Sequence, residues 1–154
     1  MREILKKRLE KLNKHYEALK EYHNYIKNID QSLFDRYQFH TLSVEERGVL
    51  EAYLKRFASI QDYLGSKIFP YLLNVSGITF SKMSEVLTLI EKEGIIDFDE
   101  WITFREIRNE LEHDYPDDLD EALKDLKFCI DNFGKMEEIL KKVFQFAKRY
   151  KIEI

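Results

Sequence analysis

The sequence predicts an all-α fold, an up-and-down bundle of four main helices with one short extra helix. Three observations predict it. Chain breakers are scarce, with five Gly and two Pro in 154 residues. Leu, Ile, Lys and Glu are abundant and 35% of the residues are charged, a composition of amphipathic helices rather than short strands. Apolar residues recur at alternating spacings of four and three along most of the chain, the period of a helical face. At 154 residues the chain makes one domain, 1–154, long enough to bury a substantial core.

Residues 3–29 read as one long helix, because Leu5, Leu9, Leu12, Tyr16, Leu19, His23 and Ile26 form a heptad-like seam. Residues 31–43 lack a clear period and read as a connection. Ser43 and Glu46 have the spacing of a capping box, which opens a second helix. Its seam is Leu50, Leu54, Phe57, Gln61, Leu64 and Ile68. Pro70 lies inside a pattern that continues to Leu73. Its missing N–H and its ring predict a kink near Phe69, and Gly77 suits the residue after the helix. Residues 80–92 form a shorter amphipathic helix carrying Met83, Val86, Leu87 and Ile90, closed by Gly94. Asp97 and Glu100 cap a fourth helix over about 98–112, with Trp101, Phe104, Ile107 and Leu111 on its apolar face. Asp117 and Asp118 favour the start of a last helix. It runs toward Tyr150 through Leu119, Leu123, Leu126, Ile130, Phe133, Met136, Leu140 and Val143, with Gly134 as a weak point.

The single Cys129 excludes an internal disulfide and fits a reducing compartment. No apolar run approaches the ~18 residues of a membrane span, and the N-terminal residues mix acids with bases, unlike a signal peptide. The expectation is a soluble, cytoplasmic protein with no membrane association. His15 and His40 show no ligand spacing with each other or with Cys129, so no metal and no cofactor is expected. The net charge of −4 conceals an asymmetry. Residues 1–29 carry eight Lys/Arg and four Glu, whereas residues 97–121 carry eleven Asp/Glu against Arg105 and Arg108. Such an acidic segment repels nucleic acid in an isolated subunit. It suits docking to a basic surface, on a second copy of the chain or on another protein.

Within that segment lies Arg108-Asn109-Glu110-Leu111-Glu112-His113-Asp114-Tyr115, followed by Pro116. It joins a permanent cation, a titratable imidazole and a phenol. Arg holds phosphate, His moves protons, and Tyr accepts a modification. On a continuous helix, residues five apart point about 140° away from each other. Pro116 disfavours helix at Tyr115, so the helix is expected to unwind near His113 and let the imidazole turn toward Arg108. By helical angle Arg108 falls inside the apolar face, where a guanidinium needs a partner. Glu112, one turn on, is one candidate. A phosphate held bidentately is the other. His113 at a helix C-terminus among acids is favoured as imidazolium and suits general acid–base work. The Arg-x4-His spacing alone is weak. Asn109, Tyr115 and the helix-ending context make it informative.

With these residues in place, the stretch resembles the motif of the HEPN superfamily: Arg, usually a polar residue, a few more residues, then His. The fuller form, Arg-x4-His-x-Tyr, is similar to the HepT-type branch. The resemblance implies an all-α bundle with the motif near the end of the penultimate main helix, and a homodimer whose two motifs face each other. It implies a metal-independent endoribonuclease, the toxin of a pair whose antitoxin is a small nucleotidyltransferase. Arg108 would hold the scissile phosphate, and His113 would act as general acid or base when an RNA 2′-hydroxyl attacks. Asn109 would orient the motif, and Tyr115 would be the adenylylation target. The alternative within the same family is a non-catalytic nucleotidyltransferase-binding subunit, which the acidic belt around the motif would suit.

Elsewhere, His23 reads as a packing or interface residue. Tyr16, Tyr22 and Tyr25 have the rings to stack bases, though aromatics at helical spacing belong more often to a core or dimer seam. Gln61 reads as a polar register mark at an interface. The Lys/Arg face of the first helix reads as solvated, with the opposite sign of residues 97–121 as the reason to consider it functional.

Overall fold

The computed structural model describes residues 1–29, 39–114 and 117–154, and for residues 112–114 the backbone alone. Its helices are α1 (Arg2–Ile26), α2 (Val44–Tyr63), α3 (Phe69–Val75), α4 (Val86–Lys92), α5 (Phe98–Asp114), α6 (Leu119–Asp131) and α7 (Phe133–Arg149). No strand occurs among the described residues, and the architecture is the all-α bundle expected.

α1 buries Leu5, Leu9, Leu12, Tyr16, Leu19 and Ile26, the expected seam save for the half-buried His23. The helix stops at Ile26 rather than 29. Ile29 is still buried, in the turn that follows. α1 lies mainly along α2, and α7 packs on it from another side. α2 opens with the capping box: Ser43 Oγ accepts from the Glu46 N–H at 3.0 Å, and Glu46 Oε1 accepts from the Ser43 N–H at 2.9 Å.

The break at Pro70 takes a specific form. Between α2 and α3, Leu64–Ile68 form a π-helical turn, and the Phe69 N–H reaches back to the Leu64 carbonyl. Widening the helix just before Pro70 accommodates the missing donor and the ring, so the chain stays helical from Val44 to Val75. The buried face of α2 is wider than the expected seam. Tyr53 and Ile60 are fully buried, while Leu54 is only partly so.

Two further expectations are corrected. The short helix does not begin at 80. A single 3-10 turn spans Met83–Glu85, α4 proper covers Val86–Lys92, and Met83 is exposed. Nor is the last helix continuous. It breaks at Asn132, with φ −100° and ψ 15°, two residues before the flagged Gly134. Asn132 is a poor helix former whose side chain competes for backbone groups; its Nδ2 donates to the Phe128 carbonyl at 2.9 Å. The fourth main helix is therefore the pair α6–α7.

The core is one cluster drawn from all the helices. Rings thread it from Tyr53 through Phe57 and Phe104 to Phe128, with centroids 6.1, 5.8 and 5.9 Å apart. Each buried ring or branched chain adds about 1.5–3 kcal/mol. Tyr53 also donates its hydroxyl to the Cys129 carbonyl at 2.7 Å, tying α2 to α6. Cys129 is buried, and desolvation pushes its thiol up to about 12. Among the described residues, no helix is long and apolar enough to cross a membrane.

Candidate functional site

α5 is anchored by Trp101 and Phe104, 2% and 1% exposed. Trp101 packs against Phe69 with ring centroids 5.1 Å apart. One turn beyond Phe104, Arg108 emerges at the edge of this buried face. Its side chain is 18% exposed, as expected for a guanidinium set inside an apolar stripe. The partner is Asp62 on α2, whose Oδ1 accepts from Arg108 Nη1. Arg108 Nη2 donates to Asn109 Oδ1 at 2.9 Å. Two helices thus hold the guanidinium in one orientation. The side chain of Glu112, the partner weighed from sequence, lies outside the described residues.

Beside Arg108 opens a cavity of about 290 Å³. Its lining includes polar Gln61, Asp62, Ser66, Arg105 and Arg108 and apolar Met83, Val86, Leu87 and Trp101. Gln61 is not the interface mark expected from its seam position. It is 3% exposed within the single chain, and its Oε1 has no hydrogen-bond donor there. The arrangement presents two guanidinium groups next to a greasy wall, suited to an anion attached to an apolar or aromatic body.

His113 stands differently from the expectation. Helical backbone runs through Asp114, so the helix does not unwind at His113. The reason is local: a proline constrains the residue directly before it, and that residue is Tyr115, leaving Asp114 able to complete the turn. The backbone of α5 is therefore continuous from Arg108 through Asp114. The side chain of His113 lies outside the described residues, as do Tyr115 and Pro116 altogether.

Sequence reasoning missed Asp62 and Arg105 as members of this site. The need of Arg108 for a counter-ion was legible, but a partner 46 positions away carries no local signal. Other candidates settle into packing. Tyr16 is buried and donates to Glu137 Oε2 at 2.6 Å, which removes it as a stacking platform. His23 stacks on Phe133 at 4.0 Å, beside the α6–α7 break. Burial, and then Lys27, hold its imidazole below the ordinary value.

Comparison of the chain with protein-family models, with curated proteins and with solved structures found no match in any of the three.

Proposed function

We propose that this chain is a HEPN-type toxin, a metal-independent endoribonuclease that works as a homodimer and is inhibited when a cognate nucleotidyltransferase antitoxin adenylylates Tyr115. The observation that carries the reading is the restraint on Arg108. It sits at a cavity edge beside Arg105, and Asn109 fixes one of its nitrogens at 2.9 Å. A guanidinium so oriented can take a phosphodiester in exchange for the Asp62 carboxylate and stabilise charge developing on it.

The reaction follows from that group and an imidazole. A base removes the proton of the RNA 2′-hydroxyl, and the oxygen attacks the adjacent phosphorus. The bond to the 5′-oxygen breaks, an acid protonates that oxygen, and the products are a 2′,3′-cyclic phosphate and a 5′-hydroxyl. His113 fills one of the two proton-transfer roles. On this reading the dimer brings the two groups together: the Arg of one subunit faces the His of the other. AMP on Tyr115 would add bulk and negative charge to the motif and exclude RNA.

A second reading is favoured by the ion pair itself. Asp62 already pairs with Arg108, and the motif lies among acids that repel RNA. On that reading the chain is a non-catalytic subunit that docks to the nucleotidyltransferase. Expression in a bacterial host separates the two. The toxin reading expects growth arrest by the wild type and none by folded Arg108→Ala or His113→Ala chains. Harmless expression, with a nucleotidyltransferase that still co-purifies with His113→Ala, would favour the docking subunit.

A further inference from the structure

Most of the lysines that carry a carboxylate partner lie away from one particular face. Lys20 pairs with Glu17, Lys127 with Asp131, Lys135 with Glu100, Lys141 with Glu137 and Lys142 with Glu138. Along the groove between α1 and the α2–α3 rod the cations are handled differently. The Arg8 guanidinium lies 4.0 Å from the Tyr71 ring centre, and its Nη1 donates to the Lys67 carbonyl at 3.0 Å. Lys11 Nζ lies 5.3 Å from the Tyr63 ring centre. Arg56 Nη1 stands 2.7 Å from His15 Nδ1, and the His15 ring packs 6.0 Å from that of Tyr63. Among the described residues, Arg8, Lys11, Arg56 and Lys67 make no ion pair with a carboxylate.

The sequence built this face. On α1, Arg8, Lys11 and His15 follow the i, i+3, i+7 row shared by Ile4, Ala18 and Tyr22, which contains no acid. Glu3, Glu10 and Glu17 recur every seven residues on a separate face. On α2, Arg56, Ser59 and Tyr63 continue toward Lys67 and Tyr71, again without an acid. Two acid-free stripes thus face each other across one groove. The field they create is felt inside it: burial, then Arg56 and Lys11, hold His15 below the ordinary imidazole value, which fits a neutral ring accepting from Arg56.

We propose that this groove binds the backbone of single-stranded RNA, with Arg8 together with Lys67, then Lys11, then Arg56 on successive phosphates and Tyr63 and Tyr71 beside the bases. Cations without a carboxylate partner, interleaved with aromatic rings, are the combination that tracks a single strand. Arg8, Lys11 and, beside His15, Arg56 mark successive turns of α1, about 5.4 Å apart and close to the separation of neighbouring phosphates in an extended strand, while Lys67 lies level with Arg8. A carboxylate-rich protein surface would use the cations but leave the tyrosines without a role. The choice of RNA rests on the function proposed above.

The test is fluorescence-anisotropy titration of the wild-type chain with a labelled 2′-O-methyl oligoribonucleotide, which 2′-hydroxyl attack cannot cleave. The Arg8→Ala/Lys11→Ala/Arg56→Ala triple variant is expected to bind at least about tenfold more weakly. The slope of log K against log salt should flatten by about 2, since each lost phosphate contact on a single strand contributes about 0.7. Lys67→Glu, an exposed position that does not disturb the packing, should weaken binding as well. Lys141→Ala, on another face, should not. Undiminished binding by both the triple variant and Lys67→Glu overturns the groove. So does the absence of RNA binding combined with groove-dependent binding of a peptide spanning residues 97–121, which would make the groove a surface for a second copy. Cleavage of ordinary RNA with groove-independent binding would sink the groove and leave the toxin reading standing. Groove-dependent binding without cleavage would do the reverse.

Discussion

Replacing Asp62 with Asn removes the charge that holds Arg108 and keeps the shape of the side chain. The pair joins α2 to α5, with Arg108 18% and Asp62 55% exposed. An ion pair with one half-exposed partner is worth about 0.2–1 kcal/mol. The stability cost should therefore stay under about 1 kcal/mol, a Tm drop of no more than about 4 °C for a chain of this size. The same energy no longer competes with a phosphate for the guanidinium. Converted at 1.36 kcal/mol per factor of ten, RNA should be engaged about 1.4- to 5-fold better. The assay is kcat/KM for cleavage of a short RNA at substrate concentrations well below KM, beside a thermal melt of the same preparation. A modest rise in kcat/KM with a near-native Tm is the expected result. A fall of tenfold or more at unchanged Tm would refute the reasoning, because Asp62 would then be positioning Arg108 rather than occupying it.

Two further outcomes concern stability. His15 and His23 are both held below the ordinary value of 6.5 by burial, so the unfolded chain takes up protons first as pH falls. Stability is full above about 6.5 and declines as pH drops from there toward the folded values. Urea midpoints at about pH 7.5 and about pH 5.5 should differ less for His23→Phe than for the wild type; equal differences would contradict this. Tyr53→Phe keeps the buried ring but deletes the hydrogen bond to the Cys129 carbonyl at 2.7 Å. The expected cost is about 1–2 kcal/mol, read as a lower urea midpoint with an unchanged slope, and an unchanged midpoint would refute it.

The sequence announced the fold wherever one physical effect dominated. The α1 seam was legible because six of its seven positions are buried by a strict spacing, and the α2 start because Ser43 and Glu46 satisfy each other locally. It was less legible where local signals compete. Pro70 promised a kink, but whether a helix bends or widens into a π turn depends on what packs around it. Gly134 drew attention as the weak point, while the break fell at Asn132. The candidate site was legible at Arg108, whose charge inside an apolar stripe demanded a partner. The partner itself, Asp62, and the cavity floor at Gln61 arise from the packing of α2 on α5, which no spacing within residues 108–115 encodes. The helix end was placed slightly early: Pro116 acts on Tyr115, and α5 keeps its winding through Asp114.

The central claim is that residues 108–115 cleave RNA. Its most direct measurement is incubation of a defined RNA, in excess EDTA, with wild-type chain purified alone and shown by intact mass to carry no AMP on Tyr115. Fragments ending in 2′,3′-cyclic phosphate are expected, with rates lowered about 10²–10⁴-fold in Arg108→Ala and in His113→Ala. Intact RNA with the unmodified wild type, or equal cleavage by the folded variants, would contradict the account.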